Sequence, residues 1–311
     1  MAVRVNRSVW LAVLAAALAG CGGGGGADNA KTEALPADGG DLGKAWLAFH
    51  AAMKAGDVEA SKRYLDGARW TTGNKKASWF QQFAEGEADK PMGGRVHGDR
   101  ATLFLDASDP ESTASRDYRH VNATRDGDSW RFDNPHTFGS SFSLSDARDC
   151  SAGAIFPCGV ETAPPGQVGG TVENLKARDG KPATELLVDG FAVQMVPTAG
   201  AAPTATRVVL SAHGINPAAL ALSTDPGHAE GWLGWPVLHL DIAADGKSAE
   251  LEYYGGNGRQ KTTVTAGLTL DANAPGRVRG RIQAEIPEAA KVDAHFDFGV
   301  ASTCRKDDYP C

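Results

Sequence analysis

Beyond its first twenty residues the chain has no run of 18 apolar residues, so nothing there reads as a membrane-crossing helix. It has no Gly-x-Ser-x-Gly elbow, which leaves a hydrolase of that kind unsupported. It has neither a Walker-type phosphate loop nor a His-Glu-x-x-His helix. No cofactor motif is present, and no cofactor is expected. Basic residues are in deficit, with 31 Lys and Arg against 38 Asp and Glu. Such a surface does not favour nucleic acid or anionic lipid. What the chain does have is strongest at its start.

Arg4 and Arg7 precede an unbroken apolar run from Val9 to Leu18, ten residues long. As a helix this run rises about 15 Å, roughly half a bilayer, which suits a secretory signal rather than a span. Small residues and a cysteine follow. Leu18-Ala19-Gly20-Cys21 resembles the lipobox of bacterial lipoproteins. The resemblance implies cleavage before Cys21, a diacylglycerol thioether on its sulfur and an acylated amino group. Several acyl chains, each methylene worth about 0.8 kcal/mol, hold firmly where one does not. Gly22 stands where an Asp would favour inner-membrane retention, so the resemblance implies the outer membrane, facing the periplasm. Without residues 1–20 the basic count falls by Arg4 and Arg7 to 29, giving a mature charge of −9.

Residues 21–40, with Gly22 to Gly26 in a row, read as a flexible tether. From Asp41 to Lys54, Leu42, Trp46, Phe49 and Met53 make one apolar stripe at helical spacing. Asp41 is expected to cap this helix and Gly56 to end it. Asp57 caps a short second helix carrying Val58, Tyr64 and Leu65, and a third is expected around 76–85. The period then shortens to that of strands, with turns at Gly98-Asp99 and Asp126-Gly127. Helices followed by an antiparallel meander predict an α+β domain over 41–138. This order resembles the NTF2-like, cystatin-like cone superfamily. The segments that carry the likeness are Ala45-Trp46-Leu47-Ala48-Phe49, Gly98-Asp99-Arg100-Ala101-Thr102-Leu103 and Asp126-Gly127-Asp128-Ser129-Trp130. It implies a cone that houses a His/Asp pair in enzymes and an apolar or peptide ligand in non-enzymes. No catalytic pair is matched. His97, His120 and Tyr118 are strand-borne pocket candidates, read otherwise as solvent-facing strand residues.

Residues 139–165, with Cys150, Cys158 and Pro164-Pro165, read as a linker holding a stapled loop. Eight alternating runs follow, near 167–175, 184–196, 205–212, 237–243, 249–254, 260–270, 276–286 and 291–302. They predict an all-β sandwich-like domain over 166–311. Four cysteines remain after Cys21: Cys150, Cys158, Cys304 and Cys311. Cys-x7-Cys and Cys-x6-Cys are too wide for zinc knuckles, and an even number in an exported chain reads as disulfides. Local pairs, Cys150–Cys158 and Cys304–Cys311, close at the smallest entropic cost. Crossed bridges between the linker and the C-terminus are the alternative.

In this half, Ser211-Ala212-His213-Gly214 has no orienting acid for a triad. A hairpin about Asp245-Gly246 makes facing positions sum to 491, pairing His239 with Glu252 and Asp241 with Glu250. Facing carboxylates are unfavourable unless a cation or solvent separates them, so these four are weak divalent-ion candidates or a solvated face. Trp232 and Trp235 form either a contact surface or a plug for one end of the sandwich. In the C-terminal hairpin a turn at 287–291 predicts facing sums of 578. Ile282 then faces Phe296, and Arg281 faces Asp297.

The function expected is that of a lipid-anchored, non-enzymatic binding or scaffolding protein. Its partners are the membrane, through the anchor, and an envelope protein or small ligand, but not nucleic acid. The alternatives are an envelope hydrolase or isomerase using the cone, or a carbohydrate-binding sandwich.

Overall fold

The computed structural model describes residues 31–65, 88–133, 138–144, 166–175, 182–198, 201–222, 236–255 and 258–305. The lipobox with Cys21, the third helix, Cys150, Cys158, Cys311, Trp232 and Trp235 lie outside these residues, as does the linker beyond 144. Cys304 is described in its backbone alone.

The first part is a six-stranded antiparallel sheet carrying a helix on one face. Its strands are β1 (Glu33–Leu35), β2 (Lys90–His97), β3 (Arg100–Asp106), β4 (Ser115–Asp126), β5 (Ser129–Phe132) and β6 (Phe138–Ser143). They run in the order β1-β2-β3-β4-β5. The twelve-residue β4 is shared, its second half pairing β5 and its first half β6. Thus β6 takes up the first residues of the expected linker. A two-residue turn at Gly98-Asp99 closes a hairpin where expected, and the second turn lies one residue beyond the expected Asp126-Gly127, at Gly127-Asp128, with both glycines at positive φ.

Helix α1 (Gly40–Lys54) lays Leu42, Trp46, Phe49 and Met53 onto Leu103, Leu105, Val121, Trp130 and Phe132. Trp46 and Phe49 centre 5.5 and 5.6 Å from the Phe132 ring. The cap expected of Asp41 is instead Gly39. Its left-handed backbone and its contact with Leu103 leave no room for a Cβ. Asp41 sits in the first turn and pairs with Lys44. Helix α2 (Val58–Lys62) is capped by Asp57 as expected, its carboxylate accepting from Ala60 N–H at 2.9 Å.

The second part is one ten-stranded sheet. It comprises β7 (Gln167–Asn174), β8 (Ala183–Leu186), β9 (Asp189–Val196), β10 (Ala205–Ser211), β11 (Val237–Ala243), β12 (Ala249–Gly255), β13 (Gly258–Val264), β14 (Leu268–Ala274), β15 (Arg277–Ile286) and β16 (Ala290–Arg305), with a short helix α3 (Pro217–Leu222) after β10. All eight expected runs are strands, two of them each split in two.

The expected fold class, an NTF2-like α+β domain followed by a sandwich, is overturned. The described chain is mostly β, with three helices, and its second part curls as a half-barrel. The reason lies in β16. Its first half pairs with β15 and β7, and from Val300 it runs parallel to β9, with a bulge between Val300 and Thr303. One strand therefore turns the corner that would separate two sandwich layers. The single sheet wraps around Leu187, Val208, Leu240, Leu251, Ile282 and Phe296.

The C-terminal register also differs by two. Gly280 faces Phe296 and Ile282 faces Ala294, so facing positions sum to 576. The turn is tighter than expected, because Glu288 adopts φ 60 and Ala289 N–H bonds to the Ile286 carbonyl at 3.0 Å. An even shift keeps every side chain on its face, so Phe296 is buried as expected. The outer arginines meet other partners: Arg281 pairs with Asp293 and Arg277 with Asp297.

Candidate functional site

Strand alternation gives the six-stranded sheet two faces. Val96 on β2, Ala101, Leu103 and Leu105 on β3, and Val121 and Ala123 on β4 meet α1. The intervening residues form cross-strand rows on the other face. His97 pairs with Arg100 and Arg100 with Thr124; Arg95 pairs with Thr102 and Thr102 with Asn122. This polar face lies against the half-barrel. Between the two sheets is a cavity of about 380 Å³, with Arg95, His97, Arg100, Thr102, Asn122, Thr124 and Asp133 on one wall and Glu185, Val188, Ala212 and His213 on the other.

Polar contacts hold the walls together. Arg95 Nε donates to Asp189 Oδ2 at 3.2 Å, and its guanidinium carbon sits 5.7 Å from the centre of the buried Phe104 ring. Asp189 also accepts from the N–H groups of Ile215 and Gly190, at 2.8 and 2.9 Å. Burial pushes the Asp189 carboxyl up, against the pull of Arg95 and these donors. Gly214 N–H donates to Thr102 Oγ1 at 2.8 Å, and that hydroxyl donates on to Asn122 Oδ1 at 3.0 Å. A Cβ on Gly214 would lie 2.8 Å from Arg95 Cβ and 3.0 Å from Thr102 Cβ, so the loop docks only as glycine. Arg100 reaches Glu185 at 3.3 Å. The Thr32 hydroxyl donates to the Val188 carbonyl, and its oxygen lies 3.0 Å from His97 Nδ1.

The sequence candidates divide accordingly. His97 lines the cavity and is buried. His120 is buried on the same face, its ring centre 6.1 Å from that of His213. Burial, with the charge of His213 second, pushes His120 down to about 3. Tyr118 packs on Phe142, 6.0 Å between ring centres. All three therefore sit on the face away from α1, where neither the cone nor the solvent-facing reading had placed them. The space under α1 is filled by Trp46, Phe49 and Phe132. Ser211 accepts a hydrogen bond from its neighbour His213 N–H, at 3.0 Å, so its hydroxyl shapes a turn.

The hairpin of β11 and β12 has the expected register, with His239 opposite Glu252 and Asp241 opposite Glu250. Its face is not solvated at His239 and Glu252, which are 2% and 3% exposed. The facing carboxylates coexist because flanking strands bring cations. Arg207 grips Asp241 with two bonds of 2.6 and 2.7 Å, Lys261 reaches Glu250 at 2.7 Å, and Arg259 pairs with Glu252. His239 packs at a tilt against Tyr254, 4.7 Å between centres, and burial pushes it down to about 3. Among the described residues no group of three or more His, Cys, Asp or Glu is placed to hold a metal ion.

Sequence reading missed Arg95, Arg100, Thr102, Asn122, Thr124, Asp133, Glu185 and Asp189. No motif marks them. The signal that could have found the first five is alternation together with the Gly98-Asp99 turn: Arg95 shares a strand face with His97, Asn122 and Thr124 share one with His120, and the turn sets Arg100 and Thr102 opposite His97 and Arg95. No family model matches the chain, and neither the curated proteins nor the solved structures yield a match.

Proposed function

We propose that the chain is a lipid-anchored, non-enzymatic binding protein of the cell envelope whose ligand is a small polar molecule held between its two sheets. The observation that carries this reading is the cavity itself. Its size falls in the range of small-molecule sites, and its walls present charged and hydrogen-bonding side chains from both sheets. Binding is favoured over catalysis because the obvious nucleophiles are committed: Thr102 to Gly214 and Asn122, and Ser211 to the turn before His213. The anchor rests on Leu18-Ala19-Gly20-Cys21 and the glycine tether behind it.

Two experiments test the two halves. A small-molecule extract of cell envelopes should raise the unfolding midpoint of the purified protein but not that of Thr124→Trp, whose ring fills the cavity. An equal rise in both would sink the cavity reading. Labelled palmitate should enter the wild type and not Cys21→Ala; equal incorporation would remove the anchor.

A further inference from the structure

We infer that the cleft is built for a small zwitterion, a free amino acid or a dipeptide, with its carboxylate on Arg100 and Asn122 and its ammonium group on Asp133. This rests on the reading of the cleft as a binding site and names the ligand class. The cleft has unused hydrogen-bonding capacity. Of the five guanidinium donors of Arg100, one bonds to Glu185 Oε2, at 3.3 Å, and the side chain is 40% exposed at the wall. The Thr102 hydroxyl donates to Asn122 Oδ1, which fixes that amide and turns its NH2 away from Thr102. On the diagonal of β3 and β4, Arg100 and Asn122 thus offer N–H donors that no other described residue takes up. An acceptor-only, negatively charged group complements them.

Beside Asn122 the character is opposite, for the Asp133 N–H donates to the Asn122 carbonyl at 3.0 Å. Asp133 follows β5, and its carboxylate accepts from Thr124 Oγ1 at 3.3 Å. Among the described residues no Lys or Arg pairs with it. A cationic donor complements it. Arg100 and Asp133 stand about two strand spacings apart, on the order of 10 Å between backbones, which their side chains shorten. Arg95 is held by Asp189 and Arg100 spends one donor on Glu185, so the cleft offers the remaining Arg100 donors at one place and the Asp133 carboxylate at another. A ligand carrying both charges is complemented at each. A sugar finds no Trp, Tyr or Phe face among the described lining residues on which to stack.

The test is calorimetric titration of the full mature protein in detergent. The probes are free amino acids and glycylglycine, their N-acetyl and carboxamide derivatives, acetate, methylamine and glucose. Zwitterions are expected to bind, and capping either end should weaken binding at least about tenfold, the loss of one charge-assisted contact. Arg100→Gln should weaken the zwitterion by a similar factor yet leave the carboxamide derivative unchanged, and Asp133→Asn should do the same with the N-acetyl derivative unchanged. Circular dichroism and unfolding midpoints establish that both variants are folded. Binding of acetate or glucose without binding of any zwitterion would overturn the inference, as would a zwitterion held equally by wild type and both variants. Absence of zwitterion binding, with the envelope extract still stabilising wild type but not Thr124→Trp, overturns the ligand class alone. An extract effect shared by Thr124→Trp overturns the cleft reading with it.

Discussion

On β3, Ala101, Leu103 and Leu105 enter a dry core under α1, while Arg100 and Thr102, between and beside them, enter a polar cleft under the half-barrel. The backbone and its hydrogen bonds are common to both faces. What differs is the partner. Under α1, aromatic and aliphatic side chains fill the space and contribute by burial and dispersion. Under the half-barrel, Arg95 is matched to Asp189 and Thr102 to Gly214 and Asn122, and a cavity of about 380 Å³ remains. A strand face that looks hydrophilic in sequence is thus not necessarily a solvent face. It is an inner wall wherever a second sheet closes over it with complementary groups.

The contrast can be broken from either side. Phe49→Ala empties the dry face and should cost about 3–5 kcal/mol in a denaturant titration, as for other fully buried aromatics. A loss below about 1 kcal/mol would mean that the core under α1 can collapse onto the gap.

Acid strikes the polar faces. His120 and His239 have folded-state pKa values of about 3, below the free value near 6.5. On acidification the unfolded chain therefore takes the protons first. The stability tied to keeping both rings neutral is complete above about pH 6.5 and is lost as pH falls from there towards 3, by up to about 1.4 kcal/mol per unit for each ring. Asp189, pushed up by burial, opposes this: the folded state takes its proton first, so its protonation favours the fold as pH falls through its raised value. Unfolding midpoints measured from pH 7.5 to 4 should fall steadily below 6.5; a flat profile would mean the rings are hydrated.

Asp189→Ala leaves Arg95 and two backbone donors without their acceptor. Because Asp189 and Arg95 keep 13% and 20% exposure, the cost should be about 2 kcal/mol, at or below the lower end for buried pairs. Here the informative comparison is a double-mutant cycle with Arg95→Ala, which should give clear coupling. Thr102→Val is the mildest break, about 1–2 kcal/mol, through the loss of the Gly214 acceptor and the Asn122 donor. Thr102→Ser should restore most of it.

Much of the local structure could be read from periodicity. The stripe of Leu42, Trp46, Phe49 and Met53 located α1, alternation located the strands of the half-barrel, and turn residues set the register of His239 against Glu252. The failures share a cause, which is that they concern pairing between distant segments. The parallel meeting of Val300 with Ala192, which turned the expected sandwich into a half-barrel, leaves no mark on the alternation of either strand. The face carrying His97 and His120 is covered through contacts such as Arg100 with Glu185, Arg95 with Asp189, His120 with His213 and Thr102 with Gly214, between residues about 85 to 112 apart. Single-strand patterns show that a residue shares a face with its neighbours, not what will cover that face. The two-residue shift at Phe296 is smaller in kind: it came from Glu288 adopting a left-handed turn, and facing survived because the shift was even.

The central claim is that the polar face of the six-stranded sheet is an inner wall. Histidine footprinting with diethyl pyrocarbonate, read by mass spectrometry, tests it without a ligand. The exposed His295 is an internal reference within the same chain. His97 and His120, 5% and 4% exposed, should react at least about tenfold more slowly than His295 in the folded protein and equally fast after unfolding in urea. Equal rates for all three in the folded protein would contradict the account, because they would place both histidines on an open face.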